Sequence, residues 1–255
     1  MKERGVFEKK SNWNILKLLK MRASEYENKE FVRFGSGSSL SFKSLDELSD
    51  KLAYKLINIG LKEDENVFCL LKNSPEFLIS LFAVMKTGAT FVPINTELRG
   101  QFLEHQFLNC EPKIAIIDNT LLEVFDGIKP QKNKLIGTII TETFDREMLP
   151  SALYSDETLS FKSCLENIGN ISDLNLLESA SIHKICAIMY TSGTTGPSKG
   201  VLLPHGHFFS YAIISAEAAQ FSNKDIQYIC MPLFHINALS ICLLYTSDAA
   251  DDSLR

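Results

Sequence analysis

Residues 190–200 read YTSGTTGPSKG and place hydroxyls, glycines and a lysine within one short segment. Hydroxyls and the backbone N–H groups of a glycine-containing turn can converge on one anion. Each hydrogen bond to a charged group contributes about 1.5–3 kcal/mol, and the lysine adds a mobile positive charge. The segment is therefore predicted to bind a polyphosphate. The candidate ligands are Thr191, Ser192, Gly193, Thr194, Thr195, Gly196 and Lys199.

Two apolar runs flank this segment, residues 185–190 before it and residues 201–203 after it, and both are typical of buried strands. A flexible Gly/Ser/Thr linker is the alternative interpretation, but a linker is not usually pinned between two buried strands. The segment also differs from the P-loop of nucleotide hydrolases. That motif needs four residues between its glycines and a hydroxyl after its lysine, whereas Gly200 follows Lys199 here.

The segment YTSGTTGPSKGV resembles the phosphate-binding signature of the adenylate-forming superfamily at essentially every position. This superfamily includes acyl-CoA synthetases, luciferases and the adenylation domains of peptide synthetases. Three further segments resemble its landmarks in the right order, namely NSPEF at 73–77, KTGATFVPIN at 86–95 and MPLFHINA at 231–238. The resemblance covers residues 11–241 and implies the N-terminal portion of the large AMP-binding domain.

Strand and helix patterns alternate at intervals of about 20–25 residues, which is the rhythm of a parallel α/β sheet. Strands are predicted at residues 66–71, 90–92, 113–117, 135–141 and 225–231, and residues 142–182 are predicted to be a surface excursion. The predicted fold class is α/β, with mainly parallel sheets flanked by helices, and incomplete relative to the superfamily.

Helix boundaries are predicted from local signals. A capping box at residues 44–47 should open a helix that ends at Gly60. Ser74 and Pro75 should open the next helix, and Asn95 or Thr96 should cap the one after it.

His235 is the candidate catalytic residue. A lone histidine is more often structural than catalytic, but PLFHINA resembles the superfamily's Phe-His landmark. The resemblance implies that His235 lines the acyl pocket near the carboxylate and the α-phosphate. His205 and His207 are interpreted as capping or packing residues, and His105 has no evident partner in the sequence.

The resemblance implies an acyl-CoA ligase that uses ATP, Mg²⁺ and coenzyme A to activate a carboxylic acid. No residue of this chain is predicted to bind the metal. The carnitine/crotonobetaine-type and fatty-acyl ligases are the most similar members, although fatty, aromatic and betaine acids are all still possible substrates. Two alternatives stay open: an adenylation domain that loads a carrier protein, and a non-catalytic nucleotide-binding module.

The net charge of -5 argues against nucleic acid or an anionic membrane as the main partner. No apolar run approaches the length of a membrane-spanning helix, and no secretory signal is visible at the N-terminus. The cysteines show neither C-x-x-C nor metal-like spacing, so a reduced cytoplasmic location is predicted. They are Cys69, Cys110, Cys164, Cys186, Cys230 and Cys242.

The superfamily pattern stops at Ile241, where an apolar element gives way to an acidic segment. Residues 242–255 resemble the translation of a sequencing-library adapter and are predicted to be a non-native tail. Superfamily members are about twice this length, so the chain is expected to be a truncated and inactive fragment. The adenine-binding motif, the ribose-binding aspartate and the C-terminal catalytic lysine are expected beyond it.

Overall fold

The computed structural model describes residues 13–128, 135–141, 158–166, 176, 180–191, 197–220 and 225–244, without the side chains of residues 216–219, 241 and 244. The strands are β1 (Glu30–Arg33), β2 (Ser39–Ser41), β3 (Asn66–Leu70), β4 (Thr90–Pro93), β5 (Ile114–Ile117), β6 (Gly137–Ile140), β7 (Thr158–Ser160), β8 (Ile185–Tyr190) and β9 (Gly200–Pro204). The α-helices are α1 (Ile15–Tyr26), α2 (Phe42–Ile59), α3 (Pro75–Lys86), α4 (Gly100–Cys110), α5 (Leu122–Asp126), α6 (Phe161–Cys164), α7 (His205–Ala219) and α8 (Ile236–Leu244).

Within these residues, seven strands form one sheet in the order β7-β6-β5-β3-β4-β8-β9, and β1 and β2 form a separate hairpin. All neighbours in the large sheet are parallel except β8 and β9, which are antiparallel. The α/β fold with a mainly parallel sheet flanked by helices is therefore confirmed. None of the helices in the described part of the chain is both long and apolar enough to cross a membrane.

The central strands are apolar on both faces, and successive side chains alternate between two hydrophobic clusters. On β3, Val67 and Cys69 pack into the cluster that contains α3, whereas Phe68 and Leu70 pack into the cluster that contains α4. Each of these four side chains is fully buried. The sheet is thus a middle layer between two helical layers.

The two helical layers follow from the order of the strands. From β3 the chain crosses through α3 to β4, and then returns through α4 to β5 on the other side of β3. Right-handed crossovers in opposite directions place their helices on opposite faces. The loops after β3 and β4 therefore diverge and leave a crevice at the carboxyl ends of the strands, where open α/β sheets bind ligands. The loop after β8 emerges at the same edge, because β8 is parallel to β4.

The predicted helix ends are partly confirmed. Gly60 ends α2 with a φ of 108°, which glycine tolerates best, and Ser74 caps α3 with Pro75 in its first turn. The capping box of α2 is instead formed by Ser41 and Ser44, so this helix begins three residues earlier than the predicted box. The prediction for α4 was wrong, because Asn95 caps a turn at Glu97 and the helix begins at Gly100.

Other predictions also need correction. Residues 225–231 form no strand, since their backbone groups do not join the ladder of the sheet. Residues 158–164, inside the predicted surface excursion, form β7 and α6. The strand β9 is an edge strand rather than a buried one, with Val201 and Leu202 45% and 59% exposed. Helix α8 runs from Ile236 to Leu244 and buries Cys242 and Leu243, while the domain end at residue 241 remains a prediction. The non-native tail remains a prediction.

Candidate active site

The two ends of the predicted phosphate loop are joined at the carboxyl edge of the sheet. The Thr191 N–H donates to the Lys199 carbonyl at 3.0 Å, and the Lys199 N–H donates to Thr191 Oγ1 at 3.2 Å. These bonds continue the β8–β9 ladder by one step beyond the pair of Tyr190 and Gly200. The antiparallel strands therefore bring Thr191 and Lys199 together at the neck of a short hairpin loop.

The loop between these two residues contains the other predicted ligands. Ser192, Gly193, Thr194, Thr195 and Gly196 lie outside the described residues. Their contacts with a phosphate remain a prediction. Thr191 and Lys199 are both exposed at the neck, so the Thr191 O–H group and the Lys199 ammonium can reach an external anion.

Gly200 explains why a glycine follows the lysine of this motif. A Cβ atom at this position would lie 2.7 Å from Cγ2 of Ile188 and 3.5 Å from the Tyr190 ring. Non-bonded carbon atoms essentially never approach to 2.7 Å, so a larger residue would force the Ile188 side chain or the strand pairing to shift. The glycine therefore lets the hairpin close tightly below the phosphate loop.

Helix α4 holds the C-terminal side of the loop through Ser198. The Nε2 atom of His105 lies 3.0 Å from the Ser198 carbonyl, and Nε2 of Gln106 donates to Ser198 Oγ at 3.0 Å. A carbonyl oxygen only accepts, so the proton of His105 belongs on Nε2. His105, for which the sequence showed no evident partner, therefore has one in the fold. Its partner is distant in sequence, and no local pattern indicated the pairing.

On the N-terminal side of the loop, Tyr190 at the end of β8 is anchored to the same helix, α4. Its hydroxyl lies 2.7 Å from Asn109 Oδ1 and 3.2 Å from the Gln106 carbonyl. Burial raises the pKa of the Tyr190 hydroxyl, which keeps it protonated as a hydrogen-bond donor. Polar residues 105, 106 and 109 on one side of α4 were the only sequence signal for this clamp.

His235 faces a cavity of about 260 Å³ at the carboxyl end of β8. The imidazole is exposed, and its ring centroid lies 4.5 Å from that of Phe234. An imidazole N–H can donate to a carboxylate or a phosphate oxygen, while the methionine and phenylalanine side chains offer an apolar surface to the rest of an acid. The lining residues are Met189, Tyr190, Met231, Phe234, His235, Ile236 and Asn237.

The cavity and the phosphate loop are adjacent because Tyr190 belongs to both. Tyr190 lines the cavity, and the next residue, Thr191, begins the loop. The predicted ligands Thr191, Lys199 and His235 are thus gathered at one edge of the sheet, although they come from two separate parts of the chain. This set of hydroxyl, N–H and ammonium donors fits a triphosphate, since each group is a donor and none carries negative charge.

Comparison with known proteins gives a family and a set of relatives. The family model described as "AMP-binding enzyme" matches residues 19–248. The 2-succinylbenzoate–CoA ligase of Listeria monocytogenes is 26% identical over 84% of this chain and 39% of its own length. The medium/long-chain-fatty-acid–CoA ligase FadD6 of Mycobacterium tuberculosis is 23% identical over 87% of this chain and 34% of its own length. The chain therefore spans well under half the length of these relatives.

Solved structures show the same fold. The anthranilate CoA ligase AuaEII, determined in complex with anthranoyl-AMP, matches with a TM-score of 0.74 at 21% identity. The match covers 92% of this chain and 44% of that one. At this identity the likeness concerns the course of the backbone.

Proposed function

This chain belongs to the AMP-binding enzyme family, and we propose that it carries the triphosphate loop and part of the acid pocket of an acyl-CoA ligase. The complete reaction would join a carboxylic acid to coenzyme A in two steps. Its first step would take place at the carboxyl edge of the sheet, between the β8–β9 loop and His235. The curated relatives, which are named as CoA ligases, support this reaction class.

In the first step, a carboxylate oxygen of the acid attacks the α-phosphorus of ATP. The new P–O bond replaces the bond to the β-phosphate, so pyrophosphate leaves and an acyl-adenylate remains. In the second step, the thiol of coenzyme A attacks the acyl carbon and AMP leaves as the thioester forms. Mg²⁺, when bound with the triphosphate, would neutralise charge that the protein leaves uncompensated.

The residues of this chain would act by positioning and by charge stabilisation, which are the main sources of catalysis for transfer at phosphorus. Lys199 and the loop hydroxyls would hold the departing phosphates. His235 would donate a hydrogen bond to the carboxylate or to the α-phosphate, where negative charge accumulates. Tyr190 would fix the distance between these two groups, because it is anchored to α4 on one side and lines the cavity on the other.

One observation carries the proposal: Tyr190 lines the cavity beside His235, and the next residue, Thr191, begins the phosphate loop. A phosphate-binding loop alone would serve many nucleotide-binding proteins. An acid pocket that adjoins the loop is what an adenylating enzyme requires, because the acid must reach the α-phosphorus. The lining combines apolar side chains such as Met231 and Phe234 with polar ones such as His235 and Asn237, and the relatives include both aromatic and fatty-acyl ligases.

The proposal is tested by acid-dependent exchange of radiolabelled pyrophosphate into ATP, measured on the complete gene product. A panel of fatty, aromatic and betaine acids would be compared with a reaction without acid. Exchange that requires one class of acid is expected, followed by thioester formation when coenzyme A is added.

Other outcomes would replace the proposal by a different function. Exchange without thioester formation would indicate an enzyme that loads a carrier protein. Nucleotide binding without exchange for any acid would indicate a non-catalytic nucleotide-binding module.

A further inference from the structure

Asn73 links the end of β3 to the segment that carries His235. Its Nδ2 group donates to the Met231 carbonyl at 3.1 Å, and its Oδ1 atom accepts from the Leu233 N–H at 2.7 Å. The side-chain amide therefore binds a backbone donor and a backbone acceptor two residues apart. It does so across a separation of about 160 residues in the sequence.

The bound segment leads directly into the turn that presents His235. The His235 N–H donates to the Pro232 carbonyl at 3.1 Å, and the His235 carbonyl accepts from the Leu239 N–H at 3.0 Å in α8. Beyond the turn, Ala238 and Leu239 are fully buried. His235 is thus held between the Asn73 contact on one side and a buried helix on the other.

The sheet itself does not hold this segment. Residues 225–230, which lead into it, form neither a strand nor a helix in the described structure. A ladder of backbone bonds therefore does not set the position of Met231 and Leu233. The side-chain amide of Asn73 binds these two residues instead, because a carboxamide offers an N–H donor and a carbonyl acceptor like those of a peptide group.

We propose that Asn73 is a positioning residue for His235 in the adenylation step. This inference rests on the proposed function. Asn73 lies in the loop after β3, on one side of the crevice at the carboxyl edge, and His235 lies beside the cavity at the end of β8. By fixing Met231 and Leu233, which flank Pro232, Asn73 sets the turn from which the imidazole reaches the reacting oxygens.

The test compares Asn73→Ala with Asn66→Ala in the complete gene product. Asn66 is a matched control, because it is an asparagine at the opposite end of the same strand and also binds a distant carbonyl, that of Cys110 at 2.6 Å. We expect Asn73→Ala to lower the kcat of pyrophosphate exchange about three- to tenfold, the effect of losing one or two hydrogen bonds. The KM for ATP should stay the same, and Asn66→Ala should retain the parental kcat.

A double-mutant cycle with His235→Ala separates positioning from a general structural effect. If Asn73 acts through the imidazole, Asn73→Ala should cause no further loss of kcat in the His235→Ala protein. An equal loss in both backgrounds, or a parental kcat for Asn73→Ala, would overturn the role of Asn73. A parent protein that shows no exchange with any acid would instead overturn the proposed function. In that case, faster amide exchange at Leu233 in Asn73→Ala would still report whether the anchor exists.

Discussion

In the centre of the sheet, β3 pairs with β4 from Asn66–Thr90 to Cys69–Pro93, whereas β8 pairs with β4 at Phe91 and Ala187. The central strands β3, β4 and β5 are buried except at Asn66, but the edge strand β9 exposes Leu202 to 59%. The centre is thus stabilised by burial and a regular ladder. Strand β8 also contributes Cys186 and Ala187 to the core, but the two ends of the loop, at Tyr190 and Ser198, are held by individual polar contacts from α4.

This difference indicates that the centre of the sheet mainly provides stability, whereas the β8–β9 hairpin neck mainly provides ligand binding. Substitutions in the centre should lower the stability of the whole chain, because both helical layers pack on β3 and β4. Substitutions at the exposed neck of the hairpin, such as Lys199, should change ligand binding more than stability, because these side chains are not part of the core. The predictions below test this division, starting with the largest expected effect.

Phe68→Ala should destabilise the protein most. The Phe68 ring lies 5.2 Å from that of Phe107 and 5.8 Å from that of Phe125, and it is fully buried. Its loss should lower the free energy of unfolding by about 3–5 kcal/mol, as measured by urea denaturation. Phe102→Ala is the control, since Phe102 on α4 is 63% exposed. Equal effects of the two substitutions would contradict the description of the core.

His205 should make stability depend on pH at the junction of β9 and α7. Burial, together with the smaller effect of the nearby Lys184 charge, lowers the pKa of His205 to about 4. Its Nδ1 atom is buried without a hydrogen-bond partner among the described residues. Since the folded pKa lies below the usual 6.5, the unfolded chain binds the proton more tightly.

The stability contributed by neutral His205 should therefore be complete above pH 6.5 and decline as the pH falls towards 4. The loss should reach about 3 kcal/mol, because each pH unit in this window counts about 1.4 kcal/mol. Urea denaturation at several pH values gives the free energy of unfolding as a function of pH. Between pH 6.5 and 4 this free energy should fall less steeply for His205→Asn than for the parent. The exposed His207→Asn is the control and should keep the parental slope. Identical slopes for all three proteins would rule out this role of His205.

Tyr190→Phe should have a small effect on stability and a clearer one on nucleotide binding. It removes the hydroxyl contacts with Asn109 and with the Gln106 carbonyl, which are worth about 0.5–1.5 kcal/mol. A loosened loop should bind ATP about three- to tenfold more weakly by calorimetry. Tyr211→Phe on the exposed side of α7 should bind ATP like the parent. Unchanged binding in Tyr190→Phe would show that the α4 clamp does not position the loop.

The sequence predicted the strands and several helix ends in the centre of the molecule, but it did not predict the contacts that surround the candidate site. Strands such as Ile114–Ile117 are short apolar runs between turn signals, and Gly60 and Ser74 mark helix ends by local chemistry. These features depend on neighbours in the chain, so they can be read from the pattern. The start of α4 at Gly100 could not be read in this way, because no side chain caps it.

The contacts that arrange the site join residues far apart in the sequence. Asn73 binds residues 231 and 233, and His105 and Gln106 bind Ser198. Periodicity does not report such pairs, since each depends on which strands, helices and loops become neighbours in the fold. The mistaken strand at 225–231 has the same origin. Its apolar residues suit a strand, but its backbone does not join the ladder, and Asn73 anchors the end of the segment.

The most direct test of the central claim is ATP binding by Lys199→Met, measured by calorimetry in the complete gene product. Lys184→Met is the matched control, because Lys184 lies just before β8, at the opposite end of the same hairpin, and pairs with Glu63 and Asp64. If the β8–β9 loop holds the triphosphate, Lys199→Met should bind ATP at least about tenfold more weakly, as expected for a lost charge-assisted contact, while Lys184→Met binds like the parent. Equal ATP affinity in Lys199→Met and the parent would contradict the assignment of this loop as the phosphate site.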